Sequence, residues 1–289
     1  MHILITDSGV GGLSVVAYAE RFIRTHGFRE PVRLTFANAA PANDYGYNAM
    51  ATREEKLATF DRFLRNVAER FAPDLIYVAC NTLSVLLPDA PYFASPPAPV
   101  KGIVETAGGL LFRALEADPR SVAMIFGTQT TIDAGTYPRL LTARGVEPSR
   151  IISQACPGLA DTISEDREGT KTGAEIRHWV GVALDQMQTA GMRVVACLAC
   201  THYGYRKELF AAAFAEAGID ATVLNPNESA VDDLFGPQAF GPHRDVEVKF
   251  VTRYAIPDAT VEALTWFLEA ISPKTVAAMQ NFEHLPELF

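Results

Sequence analysis

Basic side chains are in short supply. Lys and Arg number 25 against 34 Asp and Glu, for a net charge of −9. That argues against nucleic acid as a main partner, because phosphate binding needs clustered Lys and Arg. It says little about a small anionic ligand, which responds to local fields. Cysteine is also scarce. Four in 289 residues do not make a disulfide scaffold, so free thiols in a reducing cytoplasm are the expectation. No apolar run reaches the ~18 residues of a membrane span. The N-terminus lacks the basic segment and long apolar region of a signal peptide, so neither membrane nor export is expected. No low-complexity tract is visible. What is present is 48% hydrophobic residues, enough for a full core, on a length that suits one large or two ordinary domains.

Apolar runs of strand length alternate with segments of helical period. Strands are expected over 2–6, 32–37, 74–79, 100–104, 122–126, 150–154, 193–198, 221–224 and 246–252. The clearest helix is 53–71, where Thr52 and Glu55 read as a capping box and Leu57, Phe60, Phe63, Leu64, Val67 and Phe71 trace one face. Helical patterns also cover about 12–26, 107–117, 130–143, 172–190, 205–217 and 257–271. This alternation implies α/β architecture, with parallel sheets covered by helices on both faces. Ligands of such sheets sit beyond the carboxyl ends of the strands. The Pro-rich stretch Ala94–Pro99 is the best boundary between halves, and Asn225-Pro226-Asn227 would return the chain to the first. The segment 236–242 reads as a loop.

Four strand ends carry the chemistry. Ile3–Ser8 and Ala123–Thr128 read alike, and so do the runs ending in Ala79-Cys80-Asn81-Thr82 and Ala199-Cys200-Thr201-His202. Ser8 to Cys80 is 80 − 8 = 72 residues, and Thr128 to Cys200 is 200 − 128 = 72, an internal duplication with an offset of 120. One thiol per half suggests chemistry on two faces of one substrate.

Each motif also has a plainer reading. Asp7-Ser8-Gly9-Val10-Gly11-Gly12 lacks the sixth-position glycine of a dinucleotide loop and the Gly-Lys-Ser/Thr ending of a P-loop. A strand-to-helix bend there points N–H groups at an anion, or simply makes a sharp turn. Cys80 precedes a helix start, which lowers a thiol pKa, although buried cysteine is commonly structural. His202 lies two residues from Cys200 and can take the thiol proton or stabilise the thiolate. Cys197 is three residues from Cys200 and so points to the opposite strand face; it reads as core, as does Cys156. No zinc set is apparent. Thr128–Thr131 offers hydroxyls to a ligand, or a plain N-cap by Thr130 or Thr131.

Together these residues resemble the glutamate racemases, within the wider aspartate/glutamate racemase superfamily. The resemblance is carried by Asp7–Gly12, Cys80-Asn81-Thr82, Gly127–Tyr137, Cys200-Thr201-His202-Tyr203 and part of a further element at Tyr45-Gly46. It runs from the first strand to the last helix. It implies two pseudosymmetric, doubly wound parallel-sheet domains with the active site between them. The boundaries above make these 1–98 plus 226–289 and 99–225. It also implies inversion at the α-carbon with no cofactor and no metal, by two bases. Cys80 and Cys200 would be the acid/base pair, assisted by Asp7 and His202. Ser8, Tyr45, Gly46, Asn81, Thr82, Thr128, Thr131 and Thr201 would bind substrate polar groups. The partner would be a small amino acid, the product D-glutamate for cell-wall peptidoglycan; a homodimer is left open.

Three positions depart from the family pattern. Asp44 stands where the family has Pro before Tyr-Gly, Gly204-Tyr205 replaces Pro-Leu after His202-Tyr203, and Ala134 replaces a serine. None is a thiol. If Asp44 faced the substrate it would repel glutamate, which leaves another amino acid as an alternative. A non-catalytic binding protein is the other alternative, against which both intact thiols count.

Overall fold

A computed structural model gives the fold and describes every residue except Asp44, 188–191 and 237–239. The first part of the chain runs β1 (His2–Asp7), α1 (Leu13–His26), β2 (Val32–Asn38), α2 (Arg53–Phe71), β3 (Leu75–Val78), α3 (Asn81–Ser84), β4 (Val100–Gly102) and α4 (Ile103–Ala117). There follow β5 (Val122–Gly127), α5 (Gln129–Asp133), α6 (Thr136–Thr142), β6 (Ile151–Ala155), α7 (Leu159–Glu165), α8 (Thr170–Leu184), β7 (Val194–Ala199), α9 (Lys207–Glu216) and β8 (Ala221–Leu224). The last part is α10 (Pro226–Phe235), β9 (Val246–Thr252), α11 (Asp258–Leu268), α12 (Pro273–Gln280) and β10 (Glu283–His284). The chain divides into two compact units, Met1–Ile103 with Asn227–Phe289, and Val104–Pro226.

The first unit holds a sheet of order β10-β9-β2-β1-β3-β4, and the second a sheet of order β6-β5-β7-β8. Every ladder in both is parallel, as the alternating pattern implies. The inner order repeats: β2-β1-β3-β4 in one unit matches β6-β5-β7-β8 in the other. The register repeats too. Thr6 pairs with Val78 and Phe126 with Leu198; 78 − 6 and 198 − 126 both equal 72. The duplication read in the sequence is therefore present as strand pairing.

Successive strand residues serve opposite faces. Leu4, Ala37, Ile76, Val78 and Val251 share a buried cluster with Phe60, Phe63, Leu64 and Val67 of α2. The alternate residues Ile3, Ile5, Leu34 and Phe36 are as deeply buried on the other face, where α1 and α12 pack. In the second unit Met124, Phe126, Ile152, Ala196 and Leu198 meet Ile176, Val180, Phe210 and Phe214. Fully burying one such side chain stabilises by about 1.5–3 kcal/mol. The core is thus what forces each strand to end at a fixed place. Among the described residues no helix is long and apolar enough to cross a membrane.

Helix boundaries differ from expectation where local chemistry intervenes. The helix expected over 130–143 is two, α5 and α6, because Gly135 breaks it with φ 62° and ψ 18°. The expected 205–217 helix begins at Lys207, after a 3-10 segment over Thr201–Arg206. The end of the pattern expected over 172–190 and part of the 236–242 loop lie outside the described residues.

Candidate active site

In the first unit the ends of neighbouring strands β1 and β3 bring Ser8 to Cys80. Ser8 Oγ and Cys80 Sγ are 3.0 Å apart. Cys80 is 4% exposed and caps α3, its sulfur accepting from the Leu83 N–H at 3.4 Å. Asp7 is 1% exposed, and its Oδ1 accepts from the Gly9 N–H at 3.0 Å. The Gly9 donor, which the sequence offered to an anion, is thus spent on Asp7. Leu13, Ser14 and Val15 likewise donate back to Val10, Gly11 and Gly12. The bend holds Asp7 and Ser8 in place more than it cradles a ligand.

The helix start does not make Cys80 a low-pKa thiol. Burial, with the Asp7 charge behind it, pushes Cys80 up to about 12. The Ser8 hydroxyl and the N–H groups of Leu83 and Ser8 oppose this and lose. A helix of four residues supplies one capped donor, whereas desolvation acts on the whole charge.

A polar row extends from Asp7 across the sheet. Asn38 is the register partner of Asp7 on β2. Its Nδ2 donates to Tyr254 Oη at 3.1 Å, and its Oδ1 accepts from the Ala40 N–H at 2.9 Å. Burial raises Tyr254, and the Asp7 charge adds to it. The sequence reading missed Asn38 and Tyr254: the strand expected over 32–37 runs one residue further, to Asn38.

Asn81 and Thr82 are buried in α3. Tyr45 is 41% exposed and gives its hydroxyl to Glu55 at 2.6 Å, at the start of α2. A Cβ on Gly46 would meet nothing within 4 Å. Asp44 lies outside the described residues.

In the second unit β5 and β7 present the matching set. Thr128, not Thr130 or Thr131, caps α5: its Oγ1 accepts from the Thr131 N–H at 3.3 Å and lies 3.0 Å from Thr131 Oγ1. Thr128 comes first because it is the last extended residue before the turn (ψ 161°). Cys200 is 7% exposed, with His202 Nδ1 3.9 Å from its sulfur. Thr201 is buried beside it. Tyr203 is fully buried and donates to the Cys156 carbonyl at 3.2 Å, which pins the segment behind Cys200. Cys156 and Cys197 are buried core thiols, and all four cysteines are free. Gly204 has a local cause: a Cβ there would lie 2.6 Å from Asn225 Oδ1. The halves are not identical, since a carboxylate from β1 lies by the first thiol and an imidazole from the segment after β7 lies by the second. Among the described residues no group of three or more His, Cys, Asp or Glu could hold a metal ion.

Solved structures share this fold. The glutamate racemase of Campylobacter jejuni matches with a TM-score of 0.71 at 20% identity, over 92% of this chain and 98% of that one. That of Francisella tularensis, in complex with D-glutamate, matches with 0.72 at 17% identity, over 98% and 96%. The class is therefore the duplicated α/β racemase fold. Among curated proteins, the glutamate racemase of Thermus thermophilus is 30% identical over 247 residues, 82% of this chain and 83% of that protein. The Nitratiruptor enzyme is 27% identical over 231 residues, 80% and 81%. The chain belongs to the glutamate racemase family and is an isomerase. No family model matches it.

Proposed function

We propose that this protein interconverts L- and D-glutamate without a cofactor, with Cys80 and Cys200 as a two-base pair. The observation that carries the reading is the repeat itself. Each unit ends equivalent strands, in the same 72-residue register, on one free, buried thiol. Binding alone would need neither sulfur.

The chemistry follows from inversion. A proton must leave one face of the α-carbon and another arrive on the opposite face. A thiolate takes the first, a thiol gives the second, and the roles exchange when the reaction runs backwards. An α-hydrogen is weakly acidic, so a weak base is of little use. Burial that raises Cys80 makes its thiolate, once formed, a stronger base. Asp7 and His202 assist the two transfers. Ser8, Asn81, Thr82, Thr128, Thr131 and Thr201 hold the substrate's charged ends as carbanion character grows, with Tyr45 and Gly46 in the same role. Glutamate as substrate is supported by the relatives' activity, and D-glutamate for peptidoglycan made in the cytoplasm is the corresponding role.

The test is α-hydrogen exchange in deuterated water, with inversion followed by optical rotation. Glutamate of either hand should acquire deuterium and racemise. Exchange with another amino acid but not with glutamate would move the substrate. No exchange with any amino acid would end the racemase reading.

A further inference from the structure

The bend that follows Asp7 and Ser8 is built from Gly9-Val10-Gly11-Gly12. Its glycines have more backbone freedom to lose than any other residue, and they have no side chains to hold them. Yet Asp7 depends on this bend. The Gly9 N–H holds Asp7 Oδ1 at 3.0 Å, and Gly12 lies so close that a Cβ on it would meet Asp7 Cβ at 2.8 Å. Part of what keeps the bend still comes from beyond it.

Ser14 is 3% exposed, at the second residue of α1. Its Oγ donates to the Gly11 carbonyl at 2.9 Å, beside the bond that its own N–H makes to the same oxygen at 3.2 Å. Asn227 is 1% exposed, in the first turn of α10. Its Nδ2 donates to Ser14 Oγ at 2.9 Å. An amide nitrogen only donates, which leaves the serine proton for Gly11. An apolar side chain would seat α10 on α1 with less desolvation cost. The chain re-enters the first unit at Asn227, and the first side chain it brings is spent on the bend.

We propose that Asn227 and Ser14 are positioning residues. Their relay fixes Gly11 and Gly12, and through them Asp7 and Ser8, whose hydroxyl lies 3.0 Å from the Cys80 sulfur. No proton passes along the relay. This rests on Cys80 and Cys200 being the two bases, with Asp7 assisting Cys80.

Ser14→Ala, Asn227→Ala and the double variant test it. Each single variant should keep the parental circular dichroism and lose about tenfold in kcat/KM, below the roughly 100-fold of a full 1 Å misplacement. The double variant should lose no more than the worse single one, because both substitutions break one relay. The decisive readout is the α-deuterium isotope effect on kcat/KM, measured for each hand of glutamate. Cys80 takes the hydrogen from one hand and delivers a proton when the other is the substrate. Slowing that transfer alone should raise the effect for one hand and lower it for the other. Parental kcat/KM in a folded Ser14→Ala variant would show a purely structural relay and overturn the proposal. A loss that leaves the two isotope effects unchanged, or moves them together, would overturn it as well. If Asn227→Ala does not fold, Ser14→Ala decides. Racemisation by Cys80→Ala is a separate result, which would remove the two-base reading beneath it.

Discussion

Gly12 shows how tightly the first thiol's surroundings are built. A Cβ there would lie 2.8 Å from Asp7 Cβ, 2.9 Å from Asp7 Oδ2 and 3.1 Å from Phe36. Phe36 is fully buried and cannot retreat, so Asp7 must move. Gly12→Ala should therefore keep the fold by circular dichroism and lose about 100-fold in kcat/KM, the scale of a misplacement near 1 Å. A parental rate would show that Asp7's position is unimportant. The glycine was legible in the sequence; its reason was not. It read as part of an anion-binding bend, whereas the clash is with a carboxylate six residues from the helix start. Cys80, Cys200 and their flanking residues could be read because thiol and strand end are adjacent in sequence. Asn38 and Tyr254 could not, because their relation to Asp7 exists only through strand register and packing.

Elements were legible where their ends carry chemistry. α2 spans the expected residues, with the Thr52 hydroxyl accepting from the Glu55 N–H at 3.1 Å. The reciprocal half of the box lands one residue upstream. Glu55 Oε2 accepts from the Ala51 N–H at 3.2 Å, while Oε1 holds Tyr45. Thr52→Ala should cost about 1 kcal/mol, read from the urea midpoint, and no loss would mean that Glu55 alone caps the helix. The helices that escaped the reading begin beside prolines. Pro226 opens α10 and Pro273 opens α12 behind the Ser272 cap, and α7 starts after Cys156-Pro157-Gly158. Pro226 and Pro273 stand at a helix's first turn, one of proline's preferred places, which apolar spacing does not register. α6 was merged with α5 because apolar spacing continues across Gly135 while the backbone does not.

At the scale of the molecule, two units repeat one strand order and one register, and both keep their thiols out of water. That has a consequence for stability at alkaline pH. Burial pushes Cys80 and Cys197 up to about 12, and raises Cys156, Tyr47 and Tyr203 above their ordinary values as well. In the unfolded chain cysteine titrates near about 8.5 and tyrosine near about 10. Above that point the unfolded state binds fewer protons than the fold, so stability falls as pH rises, from about 8.5 towards 12. The urea midpoint should decline steadily over that window, and less steeply in Cys197→Ala. A flat midpoint would mean the buried thiols and phenols titrate freely. The repeat was the most legible feature of all, since equal spacing of like motifs survives in sequence when side-chain contacts do not.

The proposed two-base inversion requires one thiol from each unit to act on opposite faces of a single carbon. The most direct measurement follows racemisation and deuterium uptake of L- and D-glutamate by Cys80→Ala and by Cys200→Ala, each beside the parent. The parent should invert both enantiomers with deuterium entering at the α-carbon, and neither single variant should invert either one. Sustained inversion by either variant would contradict it.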